Sequence, residues 1–401
     1  MSQKLRLAFF AEILIEDFDG ASRSITNILK RIPADQHEVL LICGVPPKNK
    51  TNWQIFIVPV VKIPVNEDYR MAVPQLGFNR LHKQLIDFNP DVIHISTPSL
   101  LGKYALSYGR KQNIPVITVY HTHFISYIDY YMSKMKFLIP VVKSWIVSGQ
   151  KRFYAKCDKV YIPTKAMKNE LLDMGFDEHN FRIWPRGINT TLFSPGKRDS
   201  KHMNSITQNT NKNILFASRL VWEKNLETLI RIYQLSKSKN LPYNFIIAGD
   251  GVARETLKEQ MPDAIFLGHQ NHESLAVLYA SCDVFLFTSI SETFGNVVIE
   301  AQASGLPVVI ANGGGSAGLV DHGINGYLCS PQDESVYLAY INDICQNTTL
   351  SGYLIQNAYE TVKQYQWSSL MEIYLSDLQV LKCKREQEKN ISIPFPMELA
   401  M

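Results

Sequence analysis

Cysteine is scarce, at six in 401 residues: Cys43, Cys157, Cys282, Cys329, Cys345 and Cys383. None stands in a CxxC pair and several lie inside apolar runs, so they read as reduced, buried thiols and not as a disulfide framework or a zinc site. No apolar run reaches the ~18 residues that a spanning helix needs. The first apolar stretch, Leu5 to Ala11, is interrupted by Arg6 and has no small-residue cleavage site. It reads as a β-strand and not as a signal peptide. An excess of one charge is missing too, with 41 Lys+Arg against 37 Asp+Glu and a formal net charge of +4. That balance gives no reason to expect nucleic acid as a partner. A cytoplasmic protein is the expectation, and the sequons at Asn189, Asn347 and Asn390 then read as chance matches.

What the chain does contain is core material, with 46% hydrophobic and 19% charged residues. Domains of ~100–200 residues make two the first expectation. Short β-branched runs recur: LRLAFFAE (5–12), HEVLLIC (37–43), DVIHIS (91–96), PVITVYH (115–121) and KVYIPT (159–164). Helical patterns such as Ser22–Arg31 and Asn79–Phe88 lie between them. Strands buried on both faces and alternating with helices predict a parallel sheet. The stretch 196–212 is almost free of apolar residues and reads as a linker. Alternation then restarts with NILFAS (213–218), NFIIAG (244–249), AIFLG (264–268), DVFLFTS (283–289) and PVVIA (307–311). The predicted organisation is an α/β domain over 1–195, the linker, a second α/β domain over 213–366, an amphipathic helix over 367–385 and a frayed tail over 386–401. Ligands of such sheets sit beyond the carboxyl ends of the strands, so two facing sheets would enclose a cleft.

The strongest chemical signal is SETFGNVVIEAQASGLPVV (291–309). A buried strand runs into a turn at Thr293, Phe294, Gly295 and Asn296, and helical periodicity starts near Phe294. The first amides of a helix have no internal partner, and its dipole favours an anion there. Glu292 precedes the helix and Glu300 lies ~9 Å further along it. Two carboxylates around an anion site suit a diphosphate flanked by hydroxyl-rich groups. By spacing alone, solvated glutamates on an ordinary βα unit fit equally well. A second signal is SRLVWEKN (218–225), where Arg219 and Lys224 follow a strand and would neutralise a diphosphate.

SRLVWEKN, the GDG of 249–251, the two glutamates with seven residues between them and WPRGINTTLFSP (184–195) together resemble the retaining glycosyltransferases of family 4, over nearly the whole chain and in the same order. The resemblance implies the GT-B fold, two Rossmann-like domains facing across a cleft with a C-terminal helix. It implies an α-linked product with retained configuration and no metal or other cofactor. Within that family Glu292 would bind donor-sugar hydroxyls, Glu300 the ribose, and Arg219 and Lys224 the diphosphate. The turn of Thr293, Phe294, Gly295 and Asn296 would hold the distal phosphate and sugar, and Gly249 and Gly251 belong to the same donor site. Gly20, after the first strand, stands where the family carries a glycine pair, with Asp19 as its first member. That Asp-Gly version resembles the GDP-mannose-dependent mannosyltransferases and their sulfoquinovosyltransferase relatives. His121, at a strand's carboxyl end, would touch the donor sugar near the reacting centre, and His123 would share that site or meet the acceptor. Residues around Gly268–His272 would read the base.

The expected donor is GDP-mannose, with a UDP-sugar next, and the acceptor a glycan or a lipid. Seven cations interleaved with aromatics between Lys134 and Lys159 suit an anionic membrane surface. A solvated basic face on a helix pair packed against the domain fits the same residues. GGGSAG (313–318) matches GxGxxG formally, but its position favours the family's glycine-rich loop over a dinucleotide site. That loop usually carries a proline and an acid where this chain has Ala317 and Gly318, which leaves its acceptor contacts open. Two rival readings are a silent nucleotide-sugar-binding partner protein, which would lack the four charged residues present here, and an epimerase, which would need acids not identifiable in the first domain.

Overall fold

The computed structural model describes residues 4–15, 20–63, 66–121 and 139–391. His123, Asp19 and the basic residues Lys134 and Lys136 fall outside them.

The first half builds β1 (Leu5–Ile13), α1 (Gly20–Arg31), β2 (His37–Val45), β3 (Gln54–Ile57), the hairpin β4 (Val60–Ile63) and β5 (Asn66–Ala72), α2 (Phe78–Phe88), β6 (Val92–Ile95), α3 (Leu100–Lys111), β7 (Val116–Val119), α4 (Ile139–Tyr154), β8 (Lys159–Ile162), α5 (Lys165–Asp173) and β9 (Phe181–Ile183). Its sheet has the order β3-β2-β1-β6-β7-β8-β9, and every pairing is parallel. The second half builds α6 (Ser200–Thr207), β10 (Lys212–Ala217), α7 (Leu226–Ser238), β11 (Tyr243–Ala248), α8 (Arg254–Gln260), β12 (Ile265–Gly268), α9 (His272–Ser281), β13 (Val284–Phe287), α10 (Asn296–Ala303), β14 (Val308–Ala311), β15 (Tyr327–Cys329), α11 (Glu334–Gln346), α12 (Thr348–Lys363) and α13 (Trp367–Ile391). Its sheet is β12-β11-β10-β13-β14-β15, again parallel throughout. The strands expected from apolar runs all form. Of the five not foreseen, β4 and β5 form a separate antiparallel pair, and β3, β9 and β15 are short edge strands, β3 largely exposed, so no continuous apolar run marks them.

Two expectations are corrected. The stretch 196–212 is not structureless, because Asp199 caps α6 by accepting from His202 N, and Met203 and Thr207 are buried. Two buried residues per eight are too few to show as periodicity in the sequence. The polar run KREQEKN is not frayed over its first residues: the last helix continues to Ile391. Buried Arg385 donates to the Pro90 carbonyl at 2.7 Å, an anchor that a composition rule for tails does not see.

That helix does not stay with the second sheet. Trp367, Leu370, Met371, Tyr374, Leu378 and Leu381 share a core with Leu5, Leu7 and Phe9 of β1. Asp377, 3% exposed, accepts from Lys159 Nζ at 2.7 Å and Tyr161 Oη at 2.7 Å, and pairs with Arg182. The first domain is thus closed by the far end of the chain. Asp377→Ala strands two cations and a buried hydroxyl, and is expected to lower unfolding free energy by about 2–4 kcal/mol, measured by urea unfolding.

Candidate functional site

The β13–α10 turn carries the chemistry. Gly295 caps α10 with φ +90, and a Cβ there would lie 2.7 Å from Ser316 Cβ, so only glycine fits the turn. The helix therefore starts at Asn296, two residues later than periodicity predicts. No side chain caps it, which leaves its first amides for a ligand. Phe294 is buried in the core beside Tyr365, so it offers the site only its backbone. Thr293 is buried as well.

Lys224 lies almost wholly inside, and its Nζ meets Glu292 Oε1 at 2.6 Å and Ser291 Oγ at 3.3 Å. Burial alone would push the Glu292 carboxyl up. The Lys224 ammonium, with smaller help from Arg219 and Arg186, holds it below its ordinary value. Arg219 is different, being 66% exposed and paired with Glu223 at 2.9 Å. Its loop is tied to the neighbouring one by Ser218 N to Ala248 O and Leu220 N to Asp250 O. Gly249 and Gly251 sit where side chains would strike the Ser218 and Leu220 carbonyls. In the structure they hold the Arg219 loop in place.

Glu300, eight residues on and in the same βα unit, occupies a different environment. It is buried, with Arg23 of α1 at 3.8 Å and the Tyr279 hydroxyl at 3.5 Å. Burial raises its carboxyl to about 7, against the weaker pull of Arg23 and Tyr279. Beside it opens a cavity of about 520 Å³, lined among others by Arg23, Lys30, Arg31, His272, Asn296 and Glu300. Gly20 begins the helix that supplies those three cations.

His121 follows β7 and is buried, and neither ring nitrogen has a hydrogen-bond partner among the described residues. Burial first, then the charges of Arg186 and His94, drive the imidazole well below its ordinary value. The ring is neutral at physiological pH. The glycine-rich run works from behind the site: Gly315 N donates to Glu292 O at 2.6 Å, and a Cβ on Gly315 would collide with the Thr293 carbonyl. Among the described residues, no group of three or more His, Cys, Asp or Glu side chains is arranged to hold a metal ion.

Sequence reasoning singled out neither Arg23 nor Arg186 nor Tyr279. Arg23 did leave a signal, since a cation in the first turn of a helix opposes the dipole. Such local violations concentrate at functional sites. Tyr279 left none, because only the packing of α9 on α10 brings it to Glu300.

Comparison with known proteins covers both halves. The family described as Glycosyltransferase Family 4 matches residues 18–192, and Glycosyl transferases group 1 matches residues 197–361. The chain is 30% identical over 376 residues to a GDP-mannose-dependent alpha-mannosyltransferase of Corynebacterium glutamicum, covering 91% of this chain and 86% of the relative. It is 26% identical over 395 residues to an alpha-monoglucosyldiacylglycerol synthase of Acholeplasma laidlawii, covering 94% and 96%. Among solved structures, a sucrose-phosphate synthase of Thermosynechococcus elongatus superposes with a TM-score of 0.74 at 19% identity, covering 95% and 100%. Anabaena HepE in complex with UDP-glucose does so with 0.72 at 20%, covering 94% and 100%. These two share the fold.

The raised Glu300 carboxyl fixes a pH dependence. The folded chain holds this proton between the ordinary 4.5 and about 7, where the unfolded chain has released it. Stability due to this group is therefore present at low pH and lost as pH rises through that window. Measured against Glu300→Gln, wild-type unfolding free energy should fall between pH 5 and pH 8. Parallel pH profiles for the two proteins would refute the assignment.

Proposed function

This chain belongs to the family 4 glycosyltransferases of GT-B fold, and we propose that it transfers a hexose from a nucleotide-sugar donor with retention, giving an α linkage. The carrying observation is the Lys224–Glu292 contact beside the uncapped start of α10, with Glu300 about one turn into the helix. Ionised Glu292 is an acceptor for sugar hydroxyls. The first amides of α10, with Arg219 and Lys224, suit the leaving diphosphate, and Glu300 suits the ribose. Buried His121 would meet the sugar near its reacting centre. Catalysis would rest on donor positioning and on stabilising the departing charge.

GDP-mannose is the favoured donor, on the names of three relatives with 28–30% identity. A panel of GDP-mannose, UDP-glucose and other nucleotide sugars, assayed for nucleotide release, tests this directly. Release from GDP-mannose should dominate. Glu292→Ala should cut transfer by about 100-fold or more, and near wild-type transfer by that variant would remove Glu292 from the site.

The proposed acceptor is a lipid, met at an anionic membrane surface. Two relatives bear names of diacylglycerol glucosylation. The helix α4 supplies the face: Val141 and Trp145, one turn apart, are 66% and 72% exposed, among Lys143, Lys151, Arg152 and Lys156. Only its last turn, with Gln150, Phe153 and Tyr154, enters the core. Among the described residues no helix is long and apolar enough to cross a membrane, so this contact would be peripheral. The protein should sediment with phosphatidylglycerol-rich vesicles at low salt and less with Trp145→Glu. No binding by wild type at low salt would sink the membrane reading.

A further inference from the structure

The segment WPRGIN leaves the first domain directly after β9, and of it only Arg186 has entered the site so far. Its neighbours hold it firmly. Trp184 is 1% exposed, donates from Nε1 to the Leu370 carbonyl at 2.9 Å and meets Trp367 edge-on at 6.4 Å. Gly187 lies so close to the Trp367 ring that a side chain would strike it. Ile188 N donates to Tyr365 O at 2.9 Å, so the two chain crossings between the domains are bound to each other. Between these fixed points stands Arg186. Its Nη2 donates to the His121 carbonyl at 2.8 Å, and its charge acts on both His121 and Glu292. A single guanidinium is thus bound to the end of β7 in the first domain, on a segment tied to Tyr365 and Trp367 at the other crossing.

We propose that Arg186 is a positioning residue for sugar transfer, a clamp set by Trp184 and Gly187 that fixes the end of β7 and with it His121 relative to Glu292. The guanidinium suits this task better than an ammonium, since its planar fork fixes the direction of the N–H that it holds on the carbonyl. The clamp is built at the domain crossing, where the chain itself joins the two halves. It therefore refers His121 to the second domain without an element of its own.

The role rests on the hexosyl-transfer reading, and the test separates the two. With the donor identified by nucleotide release, Arg186→Met is expected to lower kcat about 100-fold while donor KM stays within about threefold, because a small displacement at the reacting centre costs the transition state more than the bound donor. Arg186→Lys keeps a cation and a donor, and should retain about a tenth of wild-type kcat or more. Deuterium uptake by peptides spanning 116–121 should rise in Arg186→Met and stay near wild type in Arg186→Lys. That readout needs no donor. Unchanged uptake in Arg186→Met overturns the clamp whatever the kinetics show. Raised uptake with undiminished kcat reduces Arg186 to a contact of the fold and overturns its role in transfer. Raised uptake in Arg186→Met, together with a wild type that turns over no nucleotide sugar, supports the clamp and refutes the reaction.

Discussion

The contact of 2.6 Å between the Lys224 ammonium and the Glu292 carboxylate sets the electrical state of the whole cleft. Removing either partner would leave a poorly hydrated charge behind, at a cost of several kcal/mol. The pair keeps Glu292 ionised where burial would otherwise neutralise it. Glu300 shows the opposite outcome. Its cation, Arg23, stands at 3.8 Å and not 2.6 Å, burial prevails, and the carboxyl rises to about 7. The same residue type on one βα unit is thus given two characters by the distance of its partner.

Holding such a pair in place falls to backbone more than to side chains. Gly315 fits against the Thr293 carbonyl and donates to Glu292 O, Gly249 and Gly251 fit against the Arg219 loop, and Gly295 turns the chain into α10. Close backbone approach is what a site of small tolerances requires. The other half of the cleft is positioned differently, by side-chain packing. The last helix returns to the first sheet, and Trp184 and Trp367 meet at the domain crossing. The first domain's core is therefore completed only when the chain is finished.

Much of this was legible in the sequence because the signals were local. Buried parallel strands are continuous β-branched runs, and the turn after DVFLFTS announces a helix start with a glycine in it. The pairing of Glu292 with Lys224 was not legible, although both residues were singled out. They lie 68 positions apart, and only the adjacency of β10 and β13 makes them neighbours. Tyr279 escaped because only helix packing brings it to Glu300, whereas Arg23 left a local signal, a cation in the first turn of α1, that went unread. The segment 196–212 misled because a short helix with two buried residues carries no apolar stripe. The tail misled because a single buried arginine can anchor an otherwise polar run. Local chemistry is written in the sequence, whereas contacts that depend on sheet order are not.

The ion pairs also say how a ligand would enter. Two cations of the cleft are paired with carboxylates, Lys224 with Glu292 and Arg219 with Glu223, and Arg23 faces Glu300 at 3.8 Å. An arriving diphosphate would exchange partners and not fill a bare cationic pocket. The exchanges are unequal. Arg219 is 66% exposed, and a pair of that kind is worth only ~0–1 kcal/mol, so its release costs little. Lys224 is buried, and drawing it away from Glu292 would uncover a carboxylate at a much larger cost. Arg219 is then the cation that would move to meet the phosphates, while Lys224 stays to keep Glu292 ionised. The Arg23–Glu300 pair links helix α1 of the first sheet to helix α10 of the second. Any ribose that occupied the Glu300 carboxylate would loosen that link. On the proposed reaction, donor binding would therefore exchange a direct bridge between the domains for one made through the donor itself.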